Sequence, residues 1–387
     1  MALRGKRVCV RSLVGIGVMA SVILLTTACD ADAKNADLAP RRAALVHRGM
    51  DYRESPSLRM PMDSQTSTWT ITDSGKIYAV TGPLRRDSDR GLRTLVEVDA
   101  HRGPHVVARS TFRHGDIDSI ASLGRRWVAW TDKSGVQRES MATVRWRVWA
   151  MRTRQGAKPV LLATSRRRAD RFTPIVRGGM GGIAWALDSR GLSDLWLWRP
   201  GDDPVRVAHH AAVDWSTIVT ERRRVVYGGP GSSGRTDRAD CWQLSLATGK
   251  AAPLTHNGYV MSCAANRSHV VFAAHIPPHY KPVPSDGYLD DPFTLWLRTG
   301  QSRAQRVHRG YFGNAGPFAA AHALVWDSNA GKGIVYEPYG GGHPRSLGAP
   351  AVHWDAKASD HWIAVFMTSA SKAGSKIRMY RERRPAN

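Results

Sequence analysis

The sequence predicts an all-β chain, a β-propeller of seven four-stranded antiparallel blades closed by an N-terminal strand, with six or eight blades as the alternatives. Three observations carry this. A strand–turn–strand cassette recurs along the chain at intervals of 40 to 55 residues. Its strands are short β-branched and aromatic runs bounded by Gly, Pro and Asp clusters, too short for helices. Outside residues 13–25 no segment of 12 or more residues has helical periodicity. Four strands per repeat of this length is the pattern of a propeller blade.

The clearest copy is residues 182–210, GIAWALDSRGLSDLWLWRPGDDPVRVAHH. It reads as a strand at 182–187, a loop Asp188–Asp194, a strand at 195–199, a tight turn Pro200–Pro204 and a strand at 205–209. In chain order, residues 1–28 come first. Arg4, Lys6, Arg7 and Arg11 precede an apolar run, LVGIGVMASVILL, at 13–25, and Thr26-Thr27-Ala28 lead to Cys29. This is the order of a secretory signal, and the run is shorter than the roughly 20 residues a membrane span needs. Residues 29–41 are small and polar and read as a flexible tether.

Seven units follow within a single propeller domain spanning 42–384, with a tail at 385–387. Their second strands are anchored at Val80, Trp130, Trp185, Tyr227, Phe272, Trp326 and Phe366. Glycine-bearing turns follow six of the seven third strands. Each unit opens with a further run, at 67–72, 117–122, 172–177, 213–219, 259–264, 317–321 and 351–357. The seventh unit has no fourth strand after 380. Residues 42–49, RAALVHRG, match RAQRVHRG at 303–310, the fourth strand of unit five, and are expected to complete blade seven. Such closure removes open sheet edges.

The stretch ALDSRGLSDLWLWRPGDDPVRVA at 186–208 resembles the repeat of TolB-like, WD-repeat-like propellers. Units four (225–254, with Leu246-Ala247-Thr248-Gly249-Lys250) and six (324–347) follow the same pattern. That family's Ser-Pro-Asp-Gly turn between first and second strands is absent, and Thr72-Asp73-Ser74-Gly75 is the nearest. Small residues before Cys29 are similar to the lipobox of bacterial lipoproteins, although Thr26 stands where Leu is usual. The resemblance implies diacylglyceryl attachment at Cys29, a palmitate-type lipid anchor. The repeat motifs imply a fold and not a substrate.

The net charge of +24 comes from 56 Lys and Arg against 32 Asp and Glu. Arg pairs and triplets lie scattered in turns and are read as a solvated surface, with an anionic lipid or wall polymer as the alternative partner. Trp146-Arg147-Val148-Trp149 is read as core, both indoles on one sheet face, so no nucleic acid is expected. Cys241 and Cys263 are the pair left for a disulfide once Cys29 is lipidated.

Long second-to-third connections on one rim are where a propeller is expected to carry recognition. The richest, 274–293, holds His275, His279, Tyr280, Lys281, Asp286, Tyr288, Asp290 and Asp291. The groupings His209-His210 with Asp214, and His353, Asp355, Asp360 and His361, are read as turn and strand residues, with no metal and no cofactor expected. No nucleophile elbow or phosphate-binding loop is present, so an enzyme is not signalled. The expectation is a monomeric lipoprotein on the extracytoplasmic face of a bacterial cell membrane. Its propeller would bind a protein, peptide or cell-wall glycan, with a glycan hydrolase or lyase as the alternative.

Overall fold

The computed structural model describes residues 51–383, apart from 60–63, 84–91, 100–102, 135–143, 166–172, 190–191, 212–213, 233–238, 257, 276–291, 301, 312–316, 329–332, 340–342, 348–352 and 368–375. All of these lie in one compact unit, Leu45–Asn387. Among the described residues there are strands and turns and no helix. The strands form seven separate four-stranded antiparallel sheets, the seven blades expected.

From the axis outwards, blade one is Ser64–Ile71, Ile77–Pro83, Thr94–Asp99 and Gly103–Arg109. Blade two is Gly115–Leu123, Trp127–Ser134, Trp146–Arg152 and Val160–Thr164. Blade three is Arg177–Gly178, Ile183–Ser189, Leu192–Trp198 and Val205–Ala211. Blade four is Asp214–Thr220, Arg224–Pro230, Ala239–Ser245 and Ala251–Pro253, and blade five is Val260–Ala265, His269–His275, Pro292–Thr299 and Gln305–Tyr311. Blade six is Phe318–Ala319, Ala323–Ser328, Gly333–Pro338 and Arg345–Ser346. Blade seven is His353–Ala358, Trp362–Met367, Lys376–Arg383 and, outermost, Asp51–Arg59.

Alternation builds the ring. Ile183 and Trp185 enter the gap between blades two and three, while Ala184 and Ala186 enter the gap between three and four. Every gap between neighbouring blades holds its own apolar cluster, including the gap between blades seven and one. Trp146, Trp185 and Trp326 are fully buried there. An indole removes roughly 200 Å² from water, which at about 25 cal/mol per Å² is worth several kcal/mol. β-Bulges recur between third and fourth strands at Leu95/Val96, Val148/Trp149, Leu195/Trp196 and Leu295/Trp296. Bulges increase strand twist, and here they recur at equivalent places in the repeat. The turns that follow the third strands carry Gly103, Gly156, Gly201, Gly249 and Gly300, all at φ between 56° and 99°. Only glycine adopts that conformation without steric cost, which is why these turns were legible as Gly-rich.

Four expectations are corrected. Blade seven is completed by an N-terminal strand, but by Asp51–Arg59, paired from Asp51↔Arg383 to Arg59↔Lys376. Residues 42–49 lie outside the described residues. The strand DYRESPSLR escaped notice because an outermost strand needs few apolar side chains; Tyr52 and Leu58 are buried. Pro56 is tolerated because an outer strand has one unpaired edge. Trp146 and Trp149, three residues apart, face opposite gaps, Trp146 towards blade three and Trp149 towards blade one. The loop expected at Asp188–Asp194 is mostly ladder: Leu187↔Asp194, Asp188↔Ser193 and Ser189↔Leu192 are paired. The inner strand of blade three is confined to Arg177–Gly178 rather than 172–177.

Candidate functional site

A propeller has two rims. Here one rim carries the second-to-third connections and the crossings between blades. The other carries the tight first-to-second turns and the third-to-fourth turns. Residues 276–291 belong to the first rim and lie outside the described residues, so His279, Tyr280, Lys281, Asp286, Tyr288, Asp290 and Asp291 are not described. His275 ends the second strand of blade five, paired with Phe293. Among the described residues, side chains on the loop rim meet in networks closed on themselves, Asp132 accepting from Ser110 and Thr111 and Asp240 from Thr255, whereas on the turn rim a group of them opens onto cavities.

The central channel is a cavity of about 530 Å³ walled by the inner strands of all seven blades. Its body is lined by small and hydroxylic residues, among them Thr70, Ser122, Gly179, Thr217, Ser262, Ala264, Ala319 and Ala358. Its turn-rim mouth is different in kind. Asp73, Glu221 and Asp360 stand there, contributed by the first-to-second turns of blades one, four and seven. A second cavity of about 450 Å³ adjoins it, with Asn266, Arg267, His269, His322, Tyr339 and His361 on its walls.

Hydrogen bonds between blades fix this mouth. Asp73 Oδ1 accepts the Asp360 N–H at 3.1 Å, joining blades one and seven. The Asp73 N–H donates to Gly124 O at 3.1 Å, joining one and two. Val176 N–H donates to Ser119 Oγ at 3.0 Å between two and three. Gly181 N–H donates to Thr220 O at 3.2 Å, and Thr220 Oγ1 to Gly182 O at 2.6 Å, between three and four. Arg224 Nη2 donates to Asn266 O at 3.3 Å between four and five. Asn266 Nδ2 donates to Tyr339 Oη at 3.2 Å and to Ala320 O between five and six. Within blade seven His361 Nδ1 lies 2.8 Å from Glu382 Oε2, and His322 Nε2 of blade six lies 3.8 Å from Glu382 Oε1.

The sequence allows so tight a ring because blade three supplies RGGMGG at 177–182. A Cβ on Gly178, Gly179 or Gly181 would strike the backbone of Ser122, Thr220 or Glu221. Glycine's close approach lets three blades meet backbone to backbone.

The mouth's electrostatics follow from burial. Burial pushes the Glu221 carboxyl up to about 7; Arg224 and Arg267 oppose the rise and Asp360 adds to it. The Asp360 carboxyl is also raised, first by burial and then by Asp73, with Arg267, His361 and His322 pulling the other way. Burial lowers the His269 imidazole to about 4, with His322 adding to the fall. His269 is therefore neutral at pH 7. It stacks on Tyr339, ring centroids 3.7 Å apart and 9° from parallel. The mouth thus offers one carboxyl, Glu221, able to carry a proton near neutrality, further carboxyls, a guanidinium, imidazoles and a flat ring pair.

Of the residues singled out in the sequence, Asp73, Asp360 and His361 come to this mouth, but as turn residues in different roles from the metal grouping weighed above. A bulge separates His353 from Asp355, so simple alternation does not relate them. Glu221, Arg267 and His322 were missed. The available signal was positional: each sits in the first-to-second turn of its unit, the place in every repeat that points at the axis. Cys241 and Cys263 are bonded, Cα atoms 6.1 Å apart, joining the third strand of blade four to the inner strand of blade five.

No protein-family model matches the chain, and no curated protein matches it. Solved structures do. The β-propeller domain of the Trilobed protease from Pyrococcus furiosus is similar with a TM-score of 0.55 at 8% identity, over 84% of this chain and 98% of that one. It is described as having an open velcro topology, whereas blade seven here is closed by Asp51–Arg59. A prolyl endopeptidase, with a TM-score of 0.50 at 11% identity, matches over 80% of this chain and 46% of that one. The α-L-arabinofuranosidase Arb93A from Fusarium graminearum has a TM-score of 0.42 at 7% identity, over 86% and 98%. At such identities these likenesses show the propeller fold alone.

Proposed function

We propose that this chain is a membrane-anchored, extracytoplasmic lipoprotein whose propeller binds a cell-wall glycan at the turn-rim mouth of its central channel. The observation that carries the site is the convergence of Asp73, Glu221 and Asp360 with Arg267, His322 and His361 at the channel and its adjoining cavity. Sugar hydroxyls donate and accept at once, so they suit a site that mixes carboxyls, a guanidinium and imidazoles. An apolar pocket with few polar groups would suit a hydrophobic ligand instead. The His269–Tyr339 pair supplies a flat surface for a sugar ring.

The anchor rests on the basic and apolar segments before Cys29. Two acyl chains, at about 0.8 kcal/mol per buried CH₂, hold a protein stably on a bilayer. Cys29→Ala should move the processed protein from the membrane fraction to the soluble fraction; retention of the processed form would end the anchor reading. The site is tested by calorimetry with soluble peptidoglycan fragments. Asp360→Ala should weaken binding by about tenfold or more, as expected for losing a half-buried hydrogen-bonding group. Shortening 276–290 should leave binding unchanged, and the reverse pattern would move the site to the loop rim.

A second reading has one observation in its favour. A Glu held near pH 7 is poised to act as a general acid, the need of glycosidic cleavage. In that case Glu221→Gln abolishes release of reducing ends from the glycan while binding persists. Binding without turnover by the wild type would leave the binding module alone.

A further inference from the structure

We propose a second site on the same rim: an arginine cleft beside the mouth that binds phosphate esters. It adjoins the glycan-binding mouth, with Asp73 and His361 on the shared wall, but its arginines are not among the mouth's residues, and it stands whether or not Cys29 carries lipid. A cavity of about 740 Å³ opens between the outer strands of blade seven and the turns of blades one and two. Arg53, Arg125, Arg381 and Arg383 line it. They come from the closing strand, a blade-two turn and the last strand.

The register makes this clustering unusual. Arg53 stands directly opposite Arg381 across the closing ladder. Like charges directly opposite across an antiparallel pair destabilise it. Arg383 lies two residues beyond Arg381 and so on the same side of its strand. Among the described residues, no ion pair is formed by any of the four. Arg381 instead lies over the Trp362 ring at 5.6 Å. Trp362 forms part of the cavity wall and is seated by Gly75, whose φ is +82°; a Cβ there would meet the indole at 2.7 Å.

Two carboxylates also line the cleft, and both are engaged with the protein's own donors. Asp73 Oδ1 accepts the Asp360 N–H, and Glu382 faces His361 and His322. Among the described residues, the four guanidiniums therefore share one concavity with no carboxylate paired to them, Arg381 meeting an indole face instead. Guanidinium forks match phosphate oxygens in pairs. Their number exceeds what one carboxylate takes up and suits a phosphate mono- or diester. Such a group could come from a phospholipid headgroup or from a soluble or polymeric phosphate.

The test is calorimetry on the full chain with two probes, inorganic tripolyphosphate and glycerophosphoglycerol, the deacylated headgroup of phosphatidylglycerol. Wild type is compared with Arg53→Ala/Arg381→Ala, with Arg125→Ala, and with Arg154→Ala/Arg222→Ala, two exposed arginines outside the cleft. The cleft pair should lose affinity by about tenfold or more and Arg125→Ala by several-fold, while the outside pair stays within roughly twofold. Arg125 lies in a turn, so its substitution still decides the matter if the double variant fails to fold. Binding of glycerophosphoglycerol assigns a headgroup-type diester; binding of tripolyphosphate alone assigns a soluble or polymeric phosphate. The proposal is overturned if neither probe binds wild type, or if the outside pair weakens binding as much as the cleft substitutions.

Discussion

The two rims of this propeller are built on opposite plans. The loop rim holds the long, proline-rich and chemically varied insertion 274–293. The turn rim is made of short connections, three to seven residues each, that look unremarkable one at a time. Yet the turn rim is where Asp73, Glu221, Asp360, Arg267, His322 and His361 meet. The lesson is about convergence. A long loop displays its residues together in sequence, whereas a ring of tight turns assembles a site from residues separated by up to 287 positions, as Asp73 and Asp360 are.

The sharpest way to break this comparison is to loosen the turn rim itself. Gly181→Val should destabilise the protein by about 3 kcal/mol or more, because a side chain there must displace the Glu221 backbone in a close-packed ring. Removing ten residues from 276–290 should cost well under about 1 kcal/mol, since loop entropy changes slowly with length. Denaturant melts of the two variants make the contrast; equal losses would mean that the rims are not so different.

A smaller effect concerns Glu221. Its carboxyl is raised to about 7 from an ordinary 4.5. A raised folded pKa contributes stability that is complete below pH 4.5 and is lost as pH rises through 7. Glu221→Gln should therefore melt higher than wild type at pH 8, by an amount on the order of 2 kcal/mol, with the gap closing below pH 4.5. A gap independent of pH would show that the carboxyl is not held this way.

The fold was legible because propeller blades repeat their chemistry. Apolar second strands recur in every unit, Trp stands in four of the seven third strands and Gly turns follow six of them, and the seven gaps are filled by the apolar residues of those strands. The closing strand was misplaced because, among the described side chains of Asp51–Arg59, Tyr52 and Leu58 are the buried ones, and the stretch reads as polar linker. The site was less legible. Glu221 sits in Glu221-Arg222-Arg223-Arg224 and reads as part of a surface charge run, and only ring closure brings it to Asp360. His322 and Arg267 sit in two different turns and carry no local motif. Their shared position in the repeat was visible, but its meaning depends on which rim faces the ligand.

Amide hydrogen exchange tests that question most directly. With saturating soluble peptidoglycan fragments, protection should rise at 72–76, 220–224, 266–269 and 359–362, the turns of blades one, four, five and seven. Exchange across 276–291 should be unchanged. Protection confined to 276–291, with the four turns unaltered, would contradict the account and return recognition to the loop rim.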